Sequence, residues 1–134
     1  MAGAFQQGRQ TLSTARTVSI IDDDPAVLGA TRKLLSLLGF SVASFASAEA
    51  FLASPEAATT ACVISDVRMP GMSGVELQER LIGEGRALPF IFLTAFPDEA
   101  SRRRARDAGA IAFLTKPFDG QTLIDTVRQA LARH

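Results

Sequence analysis

The sequence predicts an α/β fold of five βα units, built as a doubly wound, five-stranded parallel sheet with helices on both faces. Three observations predict it. Strand-length apolar runs recur five times, at Val18–Ile21, Phe40–Phe45, Ala61–Ile64, Pro89–Leu93 and Ala110–Leu114. Several are apolar throughout, as strands covered on both faces are. Segments of helical period lie between them, and cap residues stand at the joints between the two periods. Parallel strands linked this way require right-handed crossovers.

Taken in order, the first strand ends at Asp22-Asp-Asp24, and Asp24-Pro25 places an N-cap oxygen before a proline suited to the first helical turn. Val27, Leu28, Thr31, Leu34, Leu35 and Leu38 then fall on one helix face, and Gly39 supplies a left-handed C-cap. Ser41 and Ser44 interrupt the second apolar run, which marks it as the edge strand. In the third, Cys62 reads as a small core residue. Ser73-Gly-Val-Glu76 has capping-box spacing and opens a helix to about Gly83. Asp98 is the expected cap of the fourth helix, whose apolar side holds only Ala100, Ala105 and Ala108. Its Arg102-Arg-Arg104 run and Arg106 read as a solvated face, with Asp98–Arg102, Glu99–Arg103 and Arg103–Asp107 spaced as helical ion pairs. Gly109 closes that helix. Asp119 is the expected cap of the last one, which sets Leu123, Ile124, Val127 and Leu131 on a single face.

Composition narrows the function. Of 134 residues, 14 are Lys or Arg and 14 are Asp or Glu, so the basic excess of a nucleic-acid-binding domain is missing. One cysteine allows no internal disulfide, and the one histidine is His134, which argues against histidine catalysis and His-ligated metals. No apolar run reaches the ~18 residues of a membrane span. Residues 1–16 read as a flexible polar leader without a signal-peptide core, and 17–134 as one domain, expected to be cytoplasmic.

In an open parallel sheet, ligands bind beyond the carboxyl ends of the strands. The residues there are Asp22, Asp23 and Asp24, then Asp66, Thr94 and Lys116. Three clustered carboxylates repel one another unless a cation joins them, and an all-oxygen set favours Mg²⁺, which commonly shares its shell with a phosphate. A lysine and a hydroxyl opposite would hold phosphoryl oxygens. A carboxylate can itself be the nucleophile, and Asp66 stands alone at a central strand end, facing the acidic pair.

These residues carry a resemblance. Ile20-Ile-Asp-Asp-Asp-Pro25, Asp66-Val-Arg-Met-Pro-Gly-Met-Ser-Gly74, Leu93-Thr-Ala95 and Lys116-Pro-Phe118 resemble the receiver domain of two-component response regulators. Ser47-Ala-Glu-Ala-Phe-Leu52 and Gly74-Val-Glu-Leu77 are similar to its FixJ-like branch. The resemblance runs from about Thr17 to Ala132 and implies the flavodoxin-like strand order 2-1-3-4-5. It also implies Asp66 as phosphoacceptor, Asp23 as a direct Mg²⁺ ligand, Asp22 holding a metal-bound water, and the Arg68 backbone carbonyl as a further ligand. Thr94 and Lys116 become the phosphoryl-binding switch pair, Phe113 the aromatic that turns inward, and Pro117 a cis-proline. The implied partners are a sensor histidine kinase as phosphodonor and a second copy, docked through the fourth helix, fifth strand and fifth helix. Neither nucleic acid nor membrane is an expected partner of this domain.

On this reading the chain is a signalling phosphoacceptor and not an enzyme. Arg68 and Phe96 replace side chains that would orient a hydrolytic water, so slow loss of the phosphoryl group is expected. Two other readings compete. Asp22-Asp-Asp24 also fits the D-x-D of haloacid-dehalogenase-like phosphatases, although no acidic pair follows Lys116. A receiver acting as a phosphorylation-independent binding module is the second. No output domain is expected within these residues.

Overall fold

The structure, a computed structural model, describes residues 16–132. The leader assigned to residues 1–16 therefore lies outside the described residues except for Arg16, whose guanidinium donates to the Leu131 carbonyl. The strands are β1 Thr17–Ile21, β2 Ser41–Phe45, β3 Cys62–Asp66, β4 Phe90–Thr94 and β5 Ala112–Thr115. All pair in parallel in the order β2-β1-β3-β4-β5. The expected sheet order is the one found, and β2 is an edge strand as its two serines suggested.

The helices are α1 Pro25–Leu37, α2 Ala48–Leu52, α3 Glu56–Thr59, α4 Gly74–Gly83, α5 Glu99–Asp107 and α6 Gly120–Ala132. Six are present among the described residues where five were expected, because the crossover from β2 to β3 divides. Ser54 and Pro55 separate its two short helices, and Pro55 has no N–H with which to continue α2.

Local signals decide the boundaries. The Asp24 carboxylate accepts the Ala26 N–H at 2.9 Å, with Pro25 in the first turn of α1. Ser73 and Glu76 close a reciprocal capping box on α4. Asp119 accepts the Thr122 hydroxyl at 3.1 Å, while its carbonyl takes the Leu123 N–H. Leu38, expected on the buried face of α1, is 44% exposed. It is the C-cap, where the chain leaves the helical path before Gly39 at φ 91°. Strands β3, β4 and β5 also run one or two residues further toward their carboxyl ends than the apolar runs indicated, whereas β1 and β2 end where expected. Polar Ser65, Asp66 and Thr94 continue the ladder, since pairing uses backbone groups and is indifferent to side-chain polarity.

The alternation of side chains along each strand divides the core into two layers. On one face Ile21, Val63, Phe90 and Phe92 pack with Phe51 of α2, Val75, Leu77 and Leu81 of α4, and Ala105 of α5. On the other, Val18, Ile20, Cys62, Ile64, Ile91 and Leu93 pack with Leu35 of α1 and Leu123, Ile124 and Val127 of α6. The Phe90 and Phe92 rings of β4 stack with centroids 5.4 Å apart.

Cys62 is fully buried, and burial pushes its thiol pKa up to about 12. The native protein at pH 8 is therefore expected to leave iodoacetamide unreacted over hours, and denatured chain to be alkylated at once. Prompt alkylation under native conditions would contradict the packing of β3.

Candidate functional site

The site lies at the carboxyl rim of the sheet, beside the switch point where the chain passes from β1 to the edge at β2 and crosses back to β3. Register brings its residues level. Ile21 pairs with Ser65, Asp66 with Leu93 and Thr94 with Thr115, so the residues that follow β1 and β5 emerge beside the ends of β3 and β4. Backbone bonds tie the exits down: Asp22 N–H to the Phe45 carbonyl at 3.1 Å, and Lys116 N–H to the Thr94 carbonyl at 2.7 Å.

The arrangement is an acidic cluster closed by one ammonium. Carboxylate oxygens of Asp22, Asp23 and Asp66 all lie within 4.8 Å of one another. Lys116 Nζ donates to Asp22 Oδ2 at 2.8 Å and to Asp66 Oδ2 at 3.2 Å. Asp22 is 2% exposed, and its other oxygen accepts the Asp24 N–H at 2.9 Å. Asp23 is exposed, toward the open side of the cluster. Burial raises the Asp66 carboxyl above the ordinary carboxylate range, Lys116 opposes this, and the neighbouring Asp22 adds to it. For Lys116, burial acts to lower the ammonium pKa, but the bonds and charges of Asp22 and Asp66 outweigh it and leave it raised.

Thr94 is buried, and its Oγ1 accepts the Phe96 N–H at 3.2 Å. With Asp23, Asp66, Arg68 and Lys116 it lines a cleft of about 460 Å³. Phe113 is not brought to that cleft. It packs below the rim, 6.0 Å from the ring of Phe92, with the Arg102 guanidinium 5.2 Å above its own ring. The Lys116–Pro117 peptide is cis.

These donors fit a hard divalent cation. All are oxygens, three negative charges face a single ammonium among the described residues, and Asp23 is open to solvent where a metal could keep its waters. Asp24 does not take part: its carboxylate caps α1. That leaves no D-x-D pair in the cluster, and the phosphatase reading loses its nucleophile-and-acid arrangement.

Three supporting contacts had no clear sequence signal. Gly74 packs so closely on the end of β3 that a Cβ there would lie 2.1 Å from the Asp66 carbonyl oxygen. Glu49 of α2 accepts the Met72 N–H at 2.9 Å and braces the β3–α4 loop, and that bond holds its carboxyl below the usual range. Asp98 does cap α5, accepting the Ser101 N–H at 2.8 Å, but its ion pair is with Arg68 at 3.4 Å and not with Arg102. The cap turns its carboxylate back toward the rim. On α5, Glu99 meets both Arg102 and Arg103, Arg106 meets Asp107, and Arg104 reaches across to Glu79 of α4 at 2.6 Å. Of the three alanines expected to anchor α5, Ala105 alone is buried.

Comparison with known proteins agrees with this geometry. The response regulator receiver domain family matches residues 18–128. The chain is 42% identical over 127 residues to response regulator protein TmoT of Ectopseudomonas mendocina, covering 94% of this chain and 58% of that protein. It is 35% identical over 120 residues to transcriptional regulatory protein FixJ of Bradyrhizobium diazoefficiens, covering 90% and 58%. The chain thus spans little more than half the length of these curated relatives. Among solved structures, FixJ-N superposes with a TM-score of 0.80 at 36% identity, covering 89% of this chain and 95% of that one. Fold, cluster and sequence agree, and this chain belongs to the family of response regulator receiver domains.

Proposed function

We propose that this receiver accepts a phosphoryl group on Asp66 from a sensor histidine kinase and, with it in place, changes the surface around α5 and β5 to favour a partner or a second copy. The observation that carries the reading is the position of Asp66, a carboxylate at a central strand end shared between the acidic pair and Lys116. Asp23 and Asp66, with Asp22 acting through a water and the Arg68 carbonyl, would hold Mg²⁺. When bound, that ion neutralises charge on the phosphoryl oxygens.

The chain's own residues do the rest. An Asp66 oxygen forms a bond to phosphorus as the donor's bond to phosphorus breaks, and the electron pair leaves with the donor nitrogen or oxygen. Lys116, already within hydrogen-bond distance of Asp66, stabilises the added negative charge. The Thr94 hydroxyl can exchange its bond from the Phe96 N–H for donation to a phosphoryl oxygen. That movement would vacate space at the end of β4 and draw Phe113 inward from beneath Arg102, altering the face formed by α5, β5 and α6. The domain promotes only its own phosphorylation and dephosphorylation and acts on no external substrate. Residues 17–134 serve as this single module, in the cytoplasm. In a longer protein its output would be transcriptional, by analogy with relatives named as transcriptional regulatory proteins. Among the described residues no helix is long and apolar enough to cross a membrane.

The test is intact mass after incubation with acetyl phosphate and Mg²⁺. One phosphoryl adduct is expected on the wild type and none on Asp66→Asn, with decay much slower than seconds because neither Arg68 nor Phe96 orients an attacking water. An adduct that persists in Asp66→Asn would refute the assignment. Turnover of acetyl phosphate without an adduct would favour hydrolase chemistry instead.

A further inference from the structure

The rim carries a cation that the reading above leaves without a task. Arg68 stands two residues after Asp66, and its N–H donates to Asp66 Oδ1 at 3.4 Å. Its side chain borders the cleft with Thr94 and Lys116, yet the guanidinium turns across the mouth to Asp98 on the far side. Asp98 divides its two oxygens. Oδ1 accepts the Ser101 N–H and starts α5, while Oδ2 accepts from Arg68 Nη2 at 3.4 Å.

This ion pair is weakly held. The Arg68 side chain is 64% exposed, and exposed pairs are both weak and screened by salt. A phosphoryl group on Asp66 would be a stronger partner. It brings three acceptor oxygens and more negative charge than the carboxylate it modifies, and a guanidinium can bond two such oxygens at once. Inside the cleft, among the described residues, the three carboxylates are met by the Lys116 ammonium alone. With Mg²⁺ held as proposed above, Asp22, Asp23 and a phosphorylated Asp66 would still exceed the ion and Lys116 by about one negative charge, and Arg68 is the further cation bordering the cleft.

We propose that the Arg68 side chain is a second phosphoryl-binding cation beside Lys116, and that Asp98 parks it across the cleft mouth until the group arrives. The inference rests on the reading of Asp66 as acceptor. It assigns Arg68 a role that its backbone carbonyl does not cover, and it makes the first turn of α5 sensitive to occupancy of the cleft. When Arg68 leaves, Asp98 keeps only its bond to Ser101.

Fluoroberyllate with Mg²⁺, a stable mimic of a carboxylate-bound phosphoryl group, tests this by calorimetric titration. The backbone amide of Ser101 is followed in parallel by NMR. Arg68→Ala is expected to bind about tenfold more weakly than wild type, as loss of a charge-assisted hydrogen bond predicts, with Arg68→Lys in between. Asp98→Asn keeps a good helix cap but removes the competing charge, so it should bind about threefold more tightly at low salt, with the gain fading at high salt. The Ser101 amide should shift on binding in wild type and much less in Arg68→Ala. If Arg68→Ala binds as tightly as wild type while Asp66→Asn does not bind, the role of Arg68 is overturned and the acceptor stands. If Arg68→Ala weakens binding but Asp98→Asn is unchanged at low salt, the parking by Asp98 is overturned. Equal binding by Asp66→Asn would overturn the acceptor assignment, and the inference with it.

Discussion

Replacing Lys116 with methionine is expected to destabilise the domain by about 3–5 kcal/mol, because it removes the cation that, among the described residues, pairs with this buried cluster, and leaves Asp22 uncompensated. Asp22 is 2% exposed and the Lys116 side chain 13%, so water cannot take over the neutralisation. For a chain of this size that loss corresponds to a fall in melting temperature on the order of 10–20 °C. The pH dependence follows from the direction of the lysine shift. Its folded pKa is raised above the ordinary 10.5, so its stabilisation is fully present below that value and is lost only as pH rises through the higher folded value. The gap between wild type and variant should therefore be constant from pH 7 to 9 and narrow only beyond. Added Mg²⁺ should recover part of the loss, since a cation bound to the folded state stabilises it in proportion to its occupancy. Thermal melts with and without Mg²⁺ decide the matter. A variant as stable as wild type in metal-free buffer would show that the carboxylates are solvated and not held by Lys116.

Gly74→Ala is expected to cost a similar amount for a different reason. The new Cβ would stand 2.1 Å from the Asp66 carbonyl oxygen and 2.8 Å from Ser65 Oγ. The first of these is backbone at the end of β3, so no side-chain rotation can relieve it. Overpacking of a buried position commonly costs 1–3 kcal/mol, and a clash with backbone belongs at or above about 3 kcal/mol. The relief must come from moving α4 away from β3, against a Gly74 N–H bond to the Val67 carbonyl of 2.9 Å. That movement displaces the end of β3 and the loop after it, which carry Asp66 and Arg68. Denaturant unfolding should register the stability loss. Below the melting range, phosphorylation by acetyl phosphate should slow even where the protein remains folded. Normal stability in Gly74→Ala would mean that the contact between α4 and the end of β3 is looser than the structure shows.

Much of this was legible in the chain itself. Period and punctuation carried the five βα units, because a strand buried on both faces must be apolar and a helix facing one layer must repeat its apolar residues at 3.6. The caps at Asp24, Ser73 and Asp98 were readable for the same kind of reason, since an unsatisfied helix N-terminus demands a particular oxygen at a particular offset. The acidic cluster was readable through topology: residues just after parallel strands share one rim. The division of the second crossover into α2 and α3 was less visible, because short helices leave too few turns for a period to show.

Other features belong to tertiary structure alone. That Asp98 reaches Arg68 and not Arg102, that Glu49 braces Met72, that Arg104 crosses to Glu79, and that Phe113 rests beneath Arg102 away from the cleft are all contacts between separate elements. Sequence periodicity reports which face of an element is buried and says nothing about the distance to a neighbour that shares that face. The protonation balance of Asp66 likewise depends on how deeply the rim sits and on where the Lys116 ammonium comes to rest. The sequence by itself determined the fold class and the residues of the acidic rim, since both follow from local pattern, and its motifs carried the resemblance that implied the strand order. Only the tertiary structure decided how charges on that rim are paired, because pairing depends on ångström-scale separations set by packing.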